Sequence, residues 1–392
     1  MTAPTRRLLF ISHSREVGGA EVYLEKLVRH LAAPGAGLTW QTTLVCRRDR
    51  VLDSWAAEIS NSCEVVRLDV VSPRDLRQLA KLIRQADLVH LNLSFPSGKY
   101  QFAAALMTRM LGRPLVVTHH LALRVAAPWR VAMRWLGGAA RSHIAVSRRS
   151  RSVLIGEFGY NPEHVVVVHN GIDAASFKPA TEDERRTIRR IGGENLDGNA
   201  WGDELLLACT VARLSPQKGL FELIEATGIV VRAVPQARVV VIGEGDLRQR
   251  LVEHVRAQGV ERYFFLAGAM PHEHVAEWLA AADLFILPSH YEGGPATALM
   301  EAMACGCAVV TTDVSGVEEI ITDATLGMVV PPRDATALAG AAVDLFTDPG
   351  RRAAMAERGR SKVNSEFSIT VSLQRTLAVF DAAVAGEPTA AA

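Results

Sequence analysis

The sequence reads as an α/β chain of two Rossmann-like, doubly wound domains, and three observations carry that reading. Short apolar runs alternate with helical periodicity along most of the 392 residues, the pattern of strands buried on both faces of a parallel sheet. The alternation occurs twice, on either side of Lys178–Asp203, a charged, glycine-bearing segment that reads as a linker with a short exposed helix or loop. A single core rarely grows past about 250–300 residues, so a chain this long with 49% apolar side chains divides into two.

The strand candidates of the first set are Leu8–Ser12, Thr42–Cys46, Val65–Leu68, Leu88–Leu91, Leu115–Thr118, His143–Val146 and Val165–His169. Helical spacing fills the gaps, as in Ala20–Leu31, where Leu24, Leu27, Val28 and Leu31 share a face. The second set is Leu205–Val211, Arg238–Ile242, Phe264–Ala267, Leu284–Leu287, Ala308–Thr312 and Met328–Val330. A last helical stretch, Ser368–Val384, precedes a polar and alanine tail, Gly386–Ala392.

Composition bounds the function classes. Five cysteines without framework spacing point to a reducing cytoplasm, and Cys305-Gly306-Cys307 reads as small packing residues between a helix and a strand. Leu8–Ile11 is too short for a signal segment, and no apolar run approaches the ~18 residues that span a bilayer. The net charge of +1 hides a division. Residues 1–178 hold 24 Lys/Arg against 13 Asp/Glu, a net of +11, and the remainder a net of −10.

Ligands of open α/β sheets bind at the carboxyl ends of the strands, and the chemistry-bearing residues gather there. Arg213 and Lys218 follow the run Leu205–Val211, and a flat guanidinium fork with an ammonium point charge suits a diphosphate. Glu292 follows Leu284–Leu287, with Glu301 on the next helix, and carboxylates accept hydrogen bonds from sugar and ribose hydroxyls. Gly18-Gly19 opens a helix directly after the first strand, a natural anion contact, and His119-His120 ends the fifth. Gly243-Glu244-Gly245 lacks the third glycine of a dinucleotide fingerprint. No Asp-x-Asp occurs in the chain, and nothing in it calls for nucleic acid.

These stretches, with Ala145-Val146-Ser147, His169-Asn170-Gly171-Ile172-Asp173 and Ser315-Gly316-Val317-Glu318-Glu319, resemble the retaining glycosyltransferases of the GT-B fold, sequence family 4 (group 1). The resemblance covers nearly the whole chain. It implies two Rossmann-like domains facing each other across a deep cleft: an acceptor-side domain, 1–177, and a nucleotide-sugar domain, 178–367. A helix over 368–385 crosses back to the first, and 386–392 is tail. It implies transfer of a sugar from a UDP- or GDP-sugar to a hydroxyl of a sugar, glycolipid or natural-product aglycone, with no cofactor or obligatory metal. His120, Glu292, Arg213 and Lys218 take the catalytic positions. Gly18, Gly19, Asn170, Arg213, Lys218, Gly243, Met270, Glu292, Gly293, Gly294 and Glu301 take the donor-binding ones, with the base read near Gly243 and Gly268–Pro271. The family mechanism is front-face displacement, in which the departing phosphate takes the acceptor's proton. One departure stands out: the family separates its two glutamates by seven residues, and eight lie between Glu292 and Glu301. A sugar-nucleotide epimerase and a non-catalytic sugar-nucleotide sensor are the competing readings.

One stretch stands outside these motifs. Leu88–Gly156 contains ten basic residues and no acidic one. Pro128 can open a helix carrying Trp129, Arg130, Met133, Arg134, Trp135 and Leu136. This reads either as a surface for anionic lipid or an acidic acceptor, or as core tryptophans in a domain whose charge attracts the acidic half. Cytoplasmic placement is the expectation, with peripheral contact at the inner membrane face as the alternative.

Overall fold

The computed structural model describes residues 6–14, 17–32, 40–69, 72–94, 99–121, 127–292 and 296–387. The chain forms two compact units, residues 1–171 with 370–392, and residues 172–369.

Unit 1 runs β1 (Arg6–Ser12), α1 (Gly19–Ala32), β2 (Trp40–Cys46), α2 (Asp53–Ile59), β3 (Glu64–Arg67), α3 (Pro73–Gln85), β4 (Leu88–Leu93) and α4 (Lys99–Met110). It continues through β5 (Leu115–His119), α5 (Ala127–Ala139), β6 (Ser142–Ala145), α6 (Arg148–Gly156) and β7 (Val165–Val167). The strands form one parallel seven-stranded sheet in the order β3-β2-β1-β4-β5-β6-β7. Its central strand β4 is buried at every residue, which is why such strands read as unbroken apolar runs.

Unit 2 runs α7 (Glu182–Leu196), β8 (Leu206–Val211), α8 (Leu220–Ala233), β9 (Ala237–Ile242), α9 (Arg248–Gln258), β10 (Phe264–Gly268), α10 (His272–Ala281) and β11 (Leu284–Leu287). Then follow α11 (Thr297–Ala304), β12 (Ala308–Thr312), α12 (Val317–Ile320), β13 (Met328–Val330), α13 (Ala335–Thr347) and α14 (Pro349–Glu366). Its parallel sheet has the order β10-β9-β8-β11-β12-β13, with a core cluster on either side. The last helix, α15 (Ile369–Ala385), belongs to unit 1. Thr376 and Ser372 hydrogen-bond Tyr23 of α1, Asp381 pairs with Arg6 at 2.9 Å, and Phe380 packs on Phe10 and His90.

The structure corrects the reading of Lys178–Asp203. Its centre is the fifteen-residue helix α7, opened by a Thr181–Glu184 capping box. It packs into unit 2 through buried Gly192 and Gly193, where an added Cβ would strike Trp278 and Trp201. Arg189 is buried too, and its guanidinium spans the carbonyls of Ala281 and Leu205 and the carboxylate of Asp283. Cys305 and Cys307 lie in the core, with their sulfurs against the Ala276 and Leu279 carbonyls, and burial pushes the Cys305 thiol up to about 12.

Candidate functional site

Strand order reverses once in each sheet, between β1 and β4 and between β8 and β11. Helices depart to opposite faces at such a point and leave a crevice at the carboxyl edge. In unit 2 the β8–β11 ladder covers only Leu284↔Ala208 and Phe285↔Cys209. Past it the backbones diverge, and Thr210 Oγ1 bridges to the Ile286 carbonyl at 2.7 Å.

Two loops meet above this split. Gly219 ends the loop after β8 at φ +63°, and a Cβ there would lie 1.9 Å from the Pro288 carbonyl oxygen. The close approach lets the His290 amide donate to the Gln217 carbonyl at 2.7 Å. Lys218 and Glu292 are thereby brought together from opposite sides of the split. Lys218 Nζ donates to Glu292 Oε1 at 2.5 Å, and the same oxygen accepts from Ser289 Oγ at 2.6 Å. The two side chains are only 15% and 11% exposed, so this ion pair is shielded from solvent. His290 Nε2 pairs with Glu222 Oε1 at 2.9 Å and ties the loop after β11 to the first turn of α8.

Arg213 differs: it is exposed at the end of β8, and its guanidinium has no hydrogen bond or ion pair among the described residues. Gly243, at φ +143°, lets the loop after β9 press on the loop after β8, since a Cβ would lie 2.0 Å from the Ala212 carbonyl oxygen. Met270 packs at the core boundary below, and Glu301 is buried on α11. Gly293 and Gly294 lie outside the described residues, and with them the site of the extra residue in the glutamate spacing. Buried Ser215 Oγ, Ser315 Oγ and Glu222 Oε2 have no hydrogen-bond partner among the described residues. Buried polar atoms are rarely left unpaired, and these three lie after β8, after β12 and in the first turn of α8, at the carboxyl edge of the sheet.

In unit 1 the edge is lined by histidines. Asn92 Nδ2 donates to the Ala20 carbonyl at 3.3 Å, which fixes its amide. Its oxygen therefore accepts from His120 Nε2 at 2.7 Å. That assigns the proton to Nε2 and leaves buried Nδ1, which has no partner among the described residues, as a bare acceptor. Burial pushes the His120 imidazole down to about 4, so it is neutral at pH 7. A neutral ring with a free lone pair accepts a hydrogen bond from a hydroxyl.

His119 points instead into the core. His143 Nε2 donates to the Gly137 carbonyl at 3.2 Å, so His119 Nε2 must donate to His143 Nδ1 at 3.1 Å. Gly18 and Gly19 sit at the entry to α1, and the Gly18 amide already donates to Glu21 Oε2 at 3.2 Å. Glu21 also accepts from Ser12 and Ser94, so a buried carboxylate occupies this helix start. Asn170 lies next to the boundary between the units, with its buried Oδ1 unpartnered among the described residues.

Sequence reasoning passed over Asn92, Ser289, His290 and Glu222. Asn92 had a weak signal, as a polar residue at the carboxyl end of a buried strand. Glu222 had none, because its partner lies 68 residues away.

Two family models match the chain. Residues 17–176 match "Glycosyltransferase Family 4" and residues 194–362 match "Glycosyl transferases group 1". The alpha-D-kanosaminyltransferase of Streptomyces kanamyceticus is 30% identical over 293 residues, 70% of this chain and 72% of that protein. A GDP-mannose-dependent monoacylated phosphatidylinositol monomannoside mannosyltransferase of Corynebacterium glutamicum is 33% identical over 227 residues, 56% of each chain. The chain thus spans little more than half the length of that relative and, at 57%, of the Mycobacterium tuberculosis glycogen synthase. Among solved structures, Anabaena HepE in complex with UDP superposes with a TM-score of 0.80 at 20% identity, covering 96% of this chain and all of that one. A Rickettsia africae glycosyltransferase gives 0.81 at 17%, covering 97% and 99%. Those two structures share the fold.

Proposed function

This chain belongs to the family 4, group 1 glycosyltransferases, and from that premise we propose that it moves a sugar from a nucleoside-diphosphate sugar to a hydroxyl acceptor. The transfer retains anomeric configuration, needs no metal ion, and draws on a UDP- or GDP-linked donor. The observation that carries this reading is the unit 2 edge, where Lys218 is locked in place by Glu292 and Ser289 beside the uncommitted charge of Arg213.

A diphosphate gains charge as it leaves the sugar. Preorganised donors stabilise that charge without reorganising at the moment of reaction. Arg213 forks onto the phosphates and Lys218 supplies a point charge, which replaces the metal that an Asp-x-Asp would hold. Glu292, fixed by two donors, meets a sugar hydroxyl through its second oxygen, and Glu301 meets the ribose. His120 Nδ1 accepts from a further hydroxyl of the transferred sugar. The departing phosphate oxygen takes the acceptor's proton, so no second carboxylate need stand beneath the ring. Relatives named for GDP-mannose and a neighbour solved with UDP-glucose support a nucleotide-sugar donor. The acceptor is a hydroxyl of a sugar, a glycolipid or a natural-product aglycone.

The test is a screen of UDP- and GDP-sugars for released nucleotide, with and without hydroxyl acceptors, in EDTA and in Mg²⁺. Acceptor-dependent release in EDTA is the expected result. Release only with Mg²⁺ defeats the metal-free reading, and epimerised donor without acceptor favours the epimerase.

A further inference from the structure

The transfer reaction leaves the outer face of the α4–α5 helix pair in unit 1 unused. Each helix joins one parallel strand to the next, so the two run in the same direction on one side of the sheet. They are bridged at two levels. Phe102 stacks on Trp129 with ring centres 5.7 Å apart, and Arg109 Nη1 donates to the Gly138 carbonyl at 2.6 Å. Their inner faces are core, with Ala104, Ala105, Met133 and Leu136 buried.

The outer faces are apolar as well. Met110 is 76% exposed, Val131 71%, Leu106 46% and Trp135 37%. These are four of the ten exposed large apolar side chains among the described residues, on two adjacent helices. Leu106 and Met110 lie one turn apart, as do Val131 and Trp135, and the two bridges set the pairs side by side as one stripe. The two tryptophans thus divide: Trp129 serves the packing between the helices and Trp135 faces outward.

Arg109, Arg130 and Arg134 are exposed along the same stripe. None of them has an ion pair among the described residues, and the sequence supplies no acidic residue from Leu88 to Gly156. A protein partner built on a second copy would set this face against itself across a two-fold axis. Arginine would then meet arginine. A stripe of exposed apolar side chains among uncompensated guanidinium groups, with tryptophan at its edge, matches a headgroup layer instead.

We propose that this face docks on a bilayer containing anionic phospholipid. The guanidinium groups meet lipid phosphates, while Leu106, Met110, Val131 and Trp135 enter the interfacial layer. No described helix is long and apolar enough to cross a membrane, so the contact is peripheral. The inference stands whether or not the transfer reaction is as proposed.

Sedimentation of the whole chain with vesicles tests it. Vesicles of phosphatidylcholine and phosphatidylglycerol in equal parts should bind the protein, those of phosphatidylcholine alone should not, and added salt should weaken the binding. Each basic residue at such a surface strengthens binding about fivefold, so Arg130→Glu/Arg134→Glu should lose on the order of a hundredfold. Met110→Ser/Val131→Ser should lose about tenfold, and that part should be insensitive to salt. All four positions face outward, and thermal unfolding matching the wild type confirms that each variant is folded. Wild-type protein that ignores the mixed vesicles at low salt overturns the proposal, and so does equal binding by the charge-reversed variant. Self-association abolished by Met110→Ser/Val131→Ser, without vesicle binding, would make the face an interface between copies and overturn it too.

Discussion

At the carboxyl edge of the seven-stranded sheet, the polar side chains are, apart from the buried Glu21 carboxylate, held neutral. His120 donates to Asn92, His90 meets Thr118 at 2.8 Å, and His119 meets His143. At the same edge of the six-stranded sheet they are charged, with Lys218 against Glu292 and Arg213 exposed and uncommitted. The strand order reverses at the same kind of place in both, so topology supplies two crevices and says nothing of what fills them. Burial decides the rest. In unit 1 desolvation removes the charge from the imidazoles, leaving groups suited to neutral hydroxyls. In unit 2 the mostly buried ammonium has an opposite charge 2.5 Å away.

The largest effect should come from breaking the charged side of this contrast. Lys218→Ala should cut turnover on the order of 10²–10³-fold, as expected for one lost preorganised donor. It should also destabilise unit 2, because Glu292 would be left buried without its cation. The double variant Lys218→Ala/Glu292→Gln tests the second effect: it should recover the melting temperature, with turnover still low because neither group is restored. Recovery of both would mean that Lys218 only holds the loop.

Next comes Gly219→Ala, which forces a Cβ against the Pro288 carbonyl at a left-handed backbone position. A cost of about 2–4 kcal/mol is expected, read as a lower melting transition for unit 2 alone. That variant thereby labels the unit 2 transition in calorimetry.

Acid should act on the other unit. Burial holds His120 and His143 at about 4 and His90 at about 3, with His119 also well below its ordinary value. Folded values below the unfolded ~6.5 mean that the unfolded chain binds more protons between those limits, so stability falls as pH drops through that window. The loss should be about 2 kcal/mol for each of these histidines by about pH 5, confined to unit 1. In unit 2, His274 is shifted the opposite way by its hydrogen bond to Glu277. Equal shifts of both calorimetric transitions on acidification would end the neutral-histidine account. The smallest effect is Glu301→Ala, which should raise the donor KM about tenfold with kcat nearly held, as for one hydrogen bond to a charged group. A fall in kcat instead would move Glu301 from the ribose to the reacting sugar.

The strands were legible because parallel strands buried on both faces must be apolar throughout, and Leu284–Leu287 and Ala308–Thr312 fall where the sequence set them. Helix α7 was not. Its surface is mostly charged, it contains two glycines, and its anchor is a buried arginine whose partners lie up to 94 residues away. Each of these argues locally against a packed helix, and tertiary contacts overrule all three. In the site, residue types with one evident chemistry were legible, as with Arg213, Lys218 and Glu292. Their supports were not. Ser289 looks like any loop serine until the Glu292 carboxylate is placed over it, and the sequence named His120 without showing the hydrogen bonds to Asn92 and His143 that orient it and its neighbour His119.

The return of α15 to the first unit has a consequence in time. Residues 172–369 are contiguous, so unit 2 has its whole chain once Ile369 has emerged from the ribosome. Unit 1 begins first and finishes last. Until the final stretch is made, Tyr23 lacks Ser372 and Thr376, and Phe10 and His90 lack the cover of Phe380. At about 5–20 residues per second, unit 1 waits on the order of ten seconds or more, with an apolar face uncovered, while residues 172–369 are made ahead of α15. A stop placed just before α15 therefore harms unit 1, although unit 2 lies closer to it in sequence.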